Sequence, residues 1–339
     1  MRFVASVTSV SWIPSEAIPG AMKLPLLVGL TEYDPPPPDV LTDLEALHAA
    51  RRFRFANRLR AWIEVDDLGR IADAGYSGGG MLGATVLHLP GGRERALENT
   101  AFPDLKREPE RSADRVRFVQ TTGGRTNAPM PRRVDRPPFV QITSPTVWTT
   151  LALTLHADGR SEFEVVGASP FPRHWFYDDA GRLVKKSSLA DFRAWAGNNH
   201  GDRSPWHDHD EEALVADAES DLERQLSSFI MRGGERPAVR KIRQGAHLTE
   251  QGAEGDELYL VLDGLFDVEV DGEVVAEVGP GAIVGERAML EGMSRTATLQ
   301  ARTRCRVAVA RPEQVDRDVL VALSQGHRRE EARGSGVAS

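Results

Sequence analysis

The sequence predicts a mainly β (α+β) protein: an amino-terminal domain of sandwich or barrel type, then a smaller β-rich unit with flanking helices. Three observations predict it. Apolar, β-branched and aromatic stretches recur along the 339 residues, separated by glycine and Asp-Gly turns. Long helical periodicity is absent from the first 200 residues or so. A polar stretch, NNHGDRSPWHDHDEE, then divides two β-patterned regions.

Composition narrows the class. Hydrophobic residues make up 40% and charged residues 27%, ordinary for a globular chain with a core, which excludes collagen-like, mucin-like and wholly disordered proteins. The formal net charge of −8 provides no global basic field for nucleic acid or anionic lipid. A single cysteine, Cys305, excludes an intramolecular disulfide and a four-cysteine zinc site. No apolar run approaches the roughly 20 residues of a membrane span. The opening MRFVASVTSVSWIPSE, its apolar stretch broken by Trp12 and Pro14, is a poor signal peptide. A cytoplasmic protein is the expectation.

The elements follow in order. Residues 2–12 read as a strand, and Pro35 to Pro38 as a short polyproline turn or spacer. Residues 41–60 read as a helix that gives way to a strand around 53–65. Further strands are expected at 116–121, 139–142, 148–155 and 163–166. Asp158-Gly159 joins the last two as a hairpin, because glycine supplies the positive φ of a tight turn. A second turn, Asp179-Ala180-Gly181, separates Trp175-Phe176-Tyr177 from Leu183-Val184.

The expected domains are a β-rich unit of unassigned role over 1–197, a linker over 198–211, a second domain over 212–325 and a polar tail over 326–339. The second domain opens on a helix, 211–231, with Val215, Ala218, Leu222, Leu226 and Phe229 on one apolar face and Gly233-Gly234 ending it. Short strands and glycine turns follow over 239–309, then a closing helix over 312–323.

One constellation carries chemistry. Gly281-Ala-Ile-Val-Gly285-Glu286-Arg287-Ala288-Met289 is a glycine turn leading into a short apolar helical turn, and Arg295-Thr296-Ala297-Thr298 follows. Free backbone N–H groups at a helix start attract anions, and an arginine folding back adds a bidentate donor suited to phosphate. A glutamate beside an anion site makes sense if it accepts from a sugar hydroxyl of the same ligand. Turn, carboxylate and arginine together describe a nucleotide pocket.

These residues resemble the phosphate-binding cassette of the cyclic nucleotide-binding domain family: Gly285-Glu286-x-Ala288-Met289, then Arg295-Thr296-Ala297-Thr298 at matching spacing. Upstream, Leu248, Gly252, Gly255-Asp256-Glu257-Leu258-Tyr259 and Gly264 look like the family's first hairpin, and Gly279-Pro280-Gly281 like the entry to the cassette. The resemblance covers about 212–325 and implies a β-roll (double-stranded β-helix or jelly roll) with flanking helices. It implies cyclic AMP or cyclic GMP as ligand, with no metal. Arg295 would pair with the cyclic phosphate and Glu286 would accept from the ribose 2′-OH. Gly285, Ala288, Thr296 and Ala297 would complete the ligand-binding set. Thr296 stands where relatives use Thr or Ser to touch the phosphate or a syn guanine, which leaves cyclic GMP open. The closing helix, around 315–323, would lie over the base. Ile283-Val284 replace frequent aromatics, Arg287 replaces an apolar residue and is expected to point to solvent, and residues 315–339 hold no base-stacking aromatic.

Three other signals are present. Gly75-Tyr76-Ser77-Gly78-Gly79 matches the nucleophile-elbow pattern, so Ser77 is a candidate catalytic serine; the competing reading is a glycine turn. His207 and His209, beside Asp208, Asp210 and His200, have metal-capable spacing, against a solvated linker and helix cap. Arg51-Arg52-Phe53-Arg54-Phe55 and Arg132-Arg133 interleave basic and aromatic residues, a pattern for nucleic acid or for a strand with one wet face. No helix-turn-helix, kinase motif or Walker loop is seen. The sequence therefore reads as a non-enzymatic cyclic-nucleotide sensor for signal transduction, acting through its amino-terminal domain, with room for a protein partner or a homodimer. The alternatives are a serine hydrolase regulated by the same domain, using Ser77, and a structural β-roll that mediates assembly.

Overall fold

In the computed structural model strands carry most of the chain, and the protein is mainly β. The structure describes all residues except 15, 16, 19, 127–129, 134, 135, 138, 144, 145, 193–203, 208–212, 233–236, 292, 293, 311–317, 319 and 326–339. The chain divides into two units, Met1–Leu214 and Val215–Ser339. Among the described residues no helix is long and apolar enough to cross a membrane.

The first unit contains β1 (Arg2–Trp12), α1 (Leu44–Ala49), β2 (Phe55–Val65), β3 (Ile71–Leu82), β4 (Ala84–Leu89), β5 (Arg93–Glu98) and β6 (Arg115–Arg125). After these come β7 (Met130–Arg133), β8 (Val140–Thr143), β9 (Thr146–His156), β10 (Ser161–Ala168), β11 (Arg173–Tyr177) and β12 (Leu183–Ser187). One antiparallel sheet has the order β12-β11-β1-β2-β3 and a second the order β10-β9-β6, with very short strands pairing to β6. β4-β5 and β7-β8 are separate hairpins. The Asp158-Gly159 turn joins β9 to β10, with Gly159 at φ +90°.

Alternate residues of facing strands fill the space between the sheets. Val7, Leu59, Ala61, Ile63, Phe118 and Leu151 are fully buried. A polar seam crosses this interior. Ser9 Oγ lies 2.8 Å from Thr149 Oγ1, Asn57 Nδ2 donates to the Thr149 carbonyl at 3.0 Å, and Gln120 Nε2 donates to Asn57 Oδ1 at 2.8 Å. Such bonds fix the register of the two sheets, since a slipped strand would strand buried donors.

His174 in β11 sits at one end of this seam, 1% exposed. Its Nε2 lies 2.8 Å from the Ser169 carbonyl, an acceptor only, so Nε2 carries the proton and Nδ1 accepts the Ser11 hydroxyl at 2.7 Å. Burial lowers its pKa to about 4, against a smaller upward pull from the Ser169 carbonyl. The folded value is therefore below the unfolded one, about 6.5. The neutral ring contributes its full stability above the unfolded value, and this is lost as pH falls toward the folded value, a total of about 3 kcal/mol. Urea unfolding followed from about pH 7 to about pH 4 should show this loss, and His174→Gln should flatten it.

Three expectations for this unit are corrected. The helix of residues 41–60 is only α1, capped by Asp43, whose carboxylate accepts the Ala46 N–H at 2.8 Å. It stops before Arg51, which takes φ +53°, because the following Phe-rich segment is claimed by the sheet. Ser77 stands in the middle of β3, opposite Arg60, and its Oγ donates to the Arg60 carbonyl at 3.3 Å. Neither a strand–turn–helix elbow nor a turn exists there. The glycines instead let two strands approach, since a Cβ at Gly78 would overlap the Arg58 carbonyl. Arg54 is buried, not on a wet face: its Nε pairs with Asp34 at 2.9 Å and its other nitrogens donate to Glu32, Ala84 and Thr85. It is withdrawn from any nucleic acid. The side chains of Arg132 and Arg133 lie outside the described residues.

The second unit contains α2 (Asp221–Arg232), β13 (Ala238–Ile242), β14 (His247–Thr249), β15 (Leu258–Asp263), β16 (Phe266–Val270) and β17 (Glu273–Val278). It continues with β18 (Ile283–Val284), α3 (Glu286–Glu291), β19 (Thr298–Ala301) and β20 (Cys305–Ala310). Two four-stranded sheets, β13-β20-β15-β18 and β14-β19-β16-β17, form the β-roll. Tyr259, Val261, Phe266, Leu299, Cys305 and Val307 make its interior. Leu258, Leu260, Ile283, Ala308 and Ala310 carry a second apolar cluster with Leu226 and Ile230 of α2 and with Leu320 and Leu323. Of the expected closing helix, residues 318 and 320–325 are described and helical.

The helix expected over 211–231 starts later, at Asp221. Ser220 and Glu223 form a capping box: Ser220 Oγ accepts the Glu223 N–H, and Glu223 Oε2 accepts the Ser220 N–H at 2.8 Å. Val215 lies in a short strand, Val215–Asp217, ahead of the helix. Glu223 does a second job. Its Oε1 accepts the Ile283 N–H at 3.0 Å, tying α2 to the strand that leads into Gly285-Glu286.

Candidate functional site

The site is built where β18 turns into α3. Gly285 takes φ +96°, and a Cβ there would lie 2.6 Å from Arg295 Nη1 and 2.8 Å from the Glu257 carbonyl. Only glycine fits a left-handed turn this close to a guanidinium. α3 starts at Glu286, which is 4% exposed, and Ala288, two residues on, is buried.

Arg295 comes back across this turn. Its backbone is locked to the preceding loop, with Arg295 N–H donating to Ala253 and Gly252 N–H donating to Arg295, both at 2.8 Å. The residue is 6% exposed. Nη1 donates to the Glu257 carbonyl at 2.9 Å and to the Gly285 carbonyl at 3.4 Å. Among the described residues Nε and Nη2 make no hydrogen bond, and no carboxylate lies within ion-pair distance. Among the described residues this leaves a buried guanidinium with two donors that can take an anion.

A second network supports the arginine. Arg295 Cζ lies 5.4 Å from the Tyr259 ring centroid, and Arg240 Cζ lies 5.7 Å from the same ring. Tyr259 OH donates to Glu257 Oε2 at 2.8 Å, and Arg240 grips both Glu257 oxygens at 2.5 and 2.8 Å. Burial alone would raise the Glu257 carboxyl, but hydrogen bonds from Arg240 and Tyr259 outweigh it and hold the group below the usual range. Burial, then the bond to Glu257, pushes the Tyr259 phenol up.

The structure thus brings Gly285, Glu286, Ala288 and Arg295 to one corner of the roll. Thr296 and Ala297 follow Arg295, both partly exposed, and the Ala297 carbonyl accepts the Thr249 hydroxyl at 3.2 Å. One expectation is corrected here: Arg287 does not point to solvent. Its side chain is 19% exposed and its Nε lies 3.9 Å from Glu286 Oε1, because a buried carboxylate in the cassette draws the nearest cation inward. Ser77 belongs to the other unit, in the middle of β3. His207 ends a single turn, Pro205–His207, with Nδ1 3.3 Å from Ser204 Oγ; His209 lies outside the described residues. Among the described residues no three metal-ligating side chains cluster. The sequence reading did not anticipate Tyr259, Glu257 and Arg240 as an assembly, since its members are remote from the cassette in sequence.

Residues 239–317 match the cyclic nucleotide-binding domain family. Solved structures also match about a third of the chain. The cyclic nucleotide-binding domain from Methylobacillus flagellatus KT is 28% identical, with 34% of this chain and 62% of that one covered and a TM-score of 0.22. This chain therefore spans less than two thirds of that relative. PKAR CBD2 bound to Sp-2Cl-cAMPS is 20% identical, covering 34% and 84% of the two chains with a TM-score of 0.27. The N-terminal domain of a transcriptional regulator from Streptomyces coelicolor A3(2) is 22% identical, covering 36% and 88% with a TM-score of 0.24. The cyclic nucleotide-binding domain here is defined by its family match over residues 239–317.

Proposed function

We propose that this protein is a non-enzymatic regulatory sensor that binds cyclic AMP or cyclic GMP. The observation that carries the reading is Arg295, buried beside the Gly285 turn, with no carboxylate in ion-pair distance and no hydrogen bond from Nε or Nη2 among the described residues. The cyclic phosphate takes those two donors. The Glu286 carboxylate accepts from the ribose 2′-OH, and Gly285, Ala288, Thr296 and Ala297 line the remainder. No metal is needed for this recognition, because guanidinium and backbone N–H groups neutralise a single phosphate charge.

Binding must favour one conformation over another to send a signal. Glu223 supplies a route, since the same carboxylate caps α2 and holds Ile283 at the entry to the cassette. Phosphate capture that moves the turn at Gly285 acts on α2 through that bond. The closing helix, described at residues 318 and 320–325, covers the base and moves with it. The amino-terminal unit is the output, as an interaction surface for a protein partner or a second copy, in the cytoplasm. A hydrolase using Ser77 has no support in a serine held mid-strand.

Calorimetric titration of the full chain with cyclic AMP, then cyclic GMP, tests this reading. Micromolar or tighter binding of either is expected. Absence of binding of both at millimolar concentration would leave a roll that serves assembly.

A further inference from the structure

The guanidinium of Arg295 is aimed by groups outside the cassette. Its Cζ lies over the Tyr259 ring, 5.4 Å from the centroid, and the ring's hydroxyl is anchored to Glu257, itself fixed by Arg240. Gly255 also lies against it. A Cβ built on Gly255 would have as its three nearest heavy atoms Arg295 Nη2 at 2.6 Å, Nε at 2.7 Å and Cζ at 2.9 Å. Those are the two free donors and the carbon between them. Gly255 is not in the left-handed region, so its backbone tolerates a side chain and the guanidinium is the obstacle.

We propose that Gly255 and Tyr259 are positioning residues for the anion site: together they hold the guanidinium in a slot that presents its Nε–Nη2 edge. This rests on the cyclic-nucleotide reading and deepens it. The bidentate geometry that makes arginine selective for phosphate needs both donors in one plane facing the ligand. Nη1 is spent on the Glu257 and Gly285 carbonyls, so the Nε–Nη2 edge is the fork that remains. Tyr259 supplies the π-face that attracts the guanidinium and holds it at this place. The bare Cα of Gly255 keeps a side chain off that edge. Glu257 does double duty, with its carbonyl on Arg295 and its carboxylate on the Tyr259 hydroxyl and Arg240, so that the orientation of the ring and that of the guanidinium are set from one residue.

The test compares Gly255→Ala, Tyr259→Leu and Tyr259→Phe with the unaltered full chain, by calorimetry with cyclic AMP and cyclic GMP and by thermal unfolding. Gly255→Ala should lose about tenfold or more in affinity, because its methyl group covers the fork. Tyr259→Leu should lose roughly 3- to 30-fold, the range of a partly desolvated cation–π contact. Tyr259→Phe, which keeps the ring, should recover most of that loss, a rescue that a purely structural role for the hydroxyl would not give. Unaltered protein that binds with Gly255→Ala and Tyr259→Leu binding equally well would overturn the positioning roles alone. Unaltered protein that binds neither nucleotide would overturn the cyclic-nucleotide reading and this proposal with it.

Discussion

Arg295→Ala is expected to weaken cyclic-nucleotide binding by about 2–5 kcal/mol, because a buried phosphate then loses its charged partner. That is roughly a 30-fold to several-thousand-fold change in Kd. The same substitution should leave the stability of the ligand-free protein nearly unchanged. Two hydrogen bonds from Nη1 disappear, each contributing about 1 kcal/mol, but so does a buried cation without a carboxylate. Arg295→Lys keeps the charge and loses the planar fork, so its affinity should fall between the two. The pairing of a large affinity change with a small stability change distinguishes a ligand-binding arginine from a structural one; parallel losses of both would contradict it.

The largest stability effect is expected in the other unit. Arg54 and Asp34 are almost fully buried and 2.9 Å apart, and Asp34 Oδ2 also accepts the Ile13 N–H at 2.8 Å. Burial pushes the Asp34 carboxyl above its usual range while the Arg54 guanidinium pulls it back. Arg54→Met removes that pull and leaves a buried carboxylate alone, at a cost of about 3–5 kcal/mol near neutral pH. The sign of the pH dependence follows. With the folded-state value raised further above the unfolded one, the variant recovers stability as pH falls and Asp34 is protonated. Chemical unfolding of the variant near neutral and at acid pH checks both statements. A loss below about 1 kcal/mol at neutral pH would mean that the site relaxes to admit water.

The strands and the cassette were legible in the sequence for different reasons. β1 spans Arg2–Trp12, where an alternating apolar run has no competing signal, and the Asp158-Gly159 hairpin forms because glycine at positive φ leaves little choice. Gly285, Glu286 and Arg295 are close together in sequence, so a local pattern could show them. Ser77 misled because an elbow and a glycine-rich strand share a motif, and only pairing with Arg60 separates them. Arg54 misled because alternation with Phe suggests a wet face, while its partner Asp34 lies 20 residues upstream. The start of α2 was visible in Ser220-x-x-Glu223, a capping box that outweighs the apolar spacing of Val215 and Ala218. The Arg240–Glu257–Tyr259 assembly joins different strands, which no local pattern reports.

The central claim is that the Nε–Nη2 edge of Arg295 receives a cyclic phosphate. The arginine Nε–H resonances of the full chain, recorded by nitrogen–proton NMR with and without saturating cyclic AMP or cyclic GMP, test it most directly. The resonance missing from Arg295→Lys identifies the group. The account predicts that this signal moves downfield on adding nucleotide, as a charge-assisted hydrogen bond forms. Saturation with nucleotide that leaves this signal in place would contradict it.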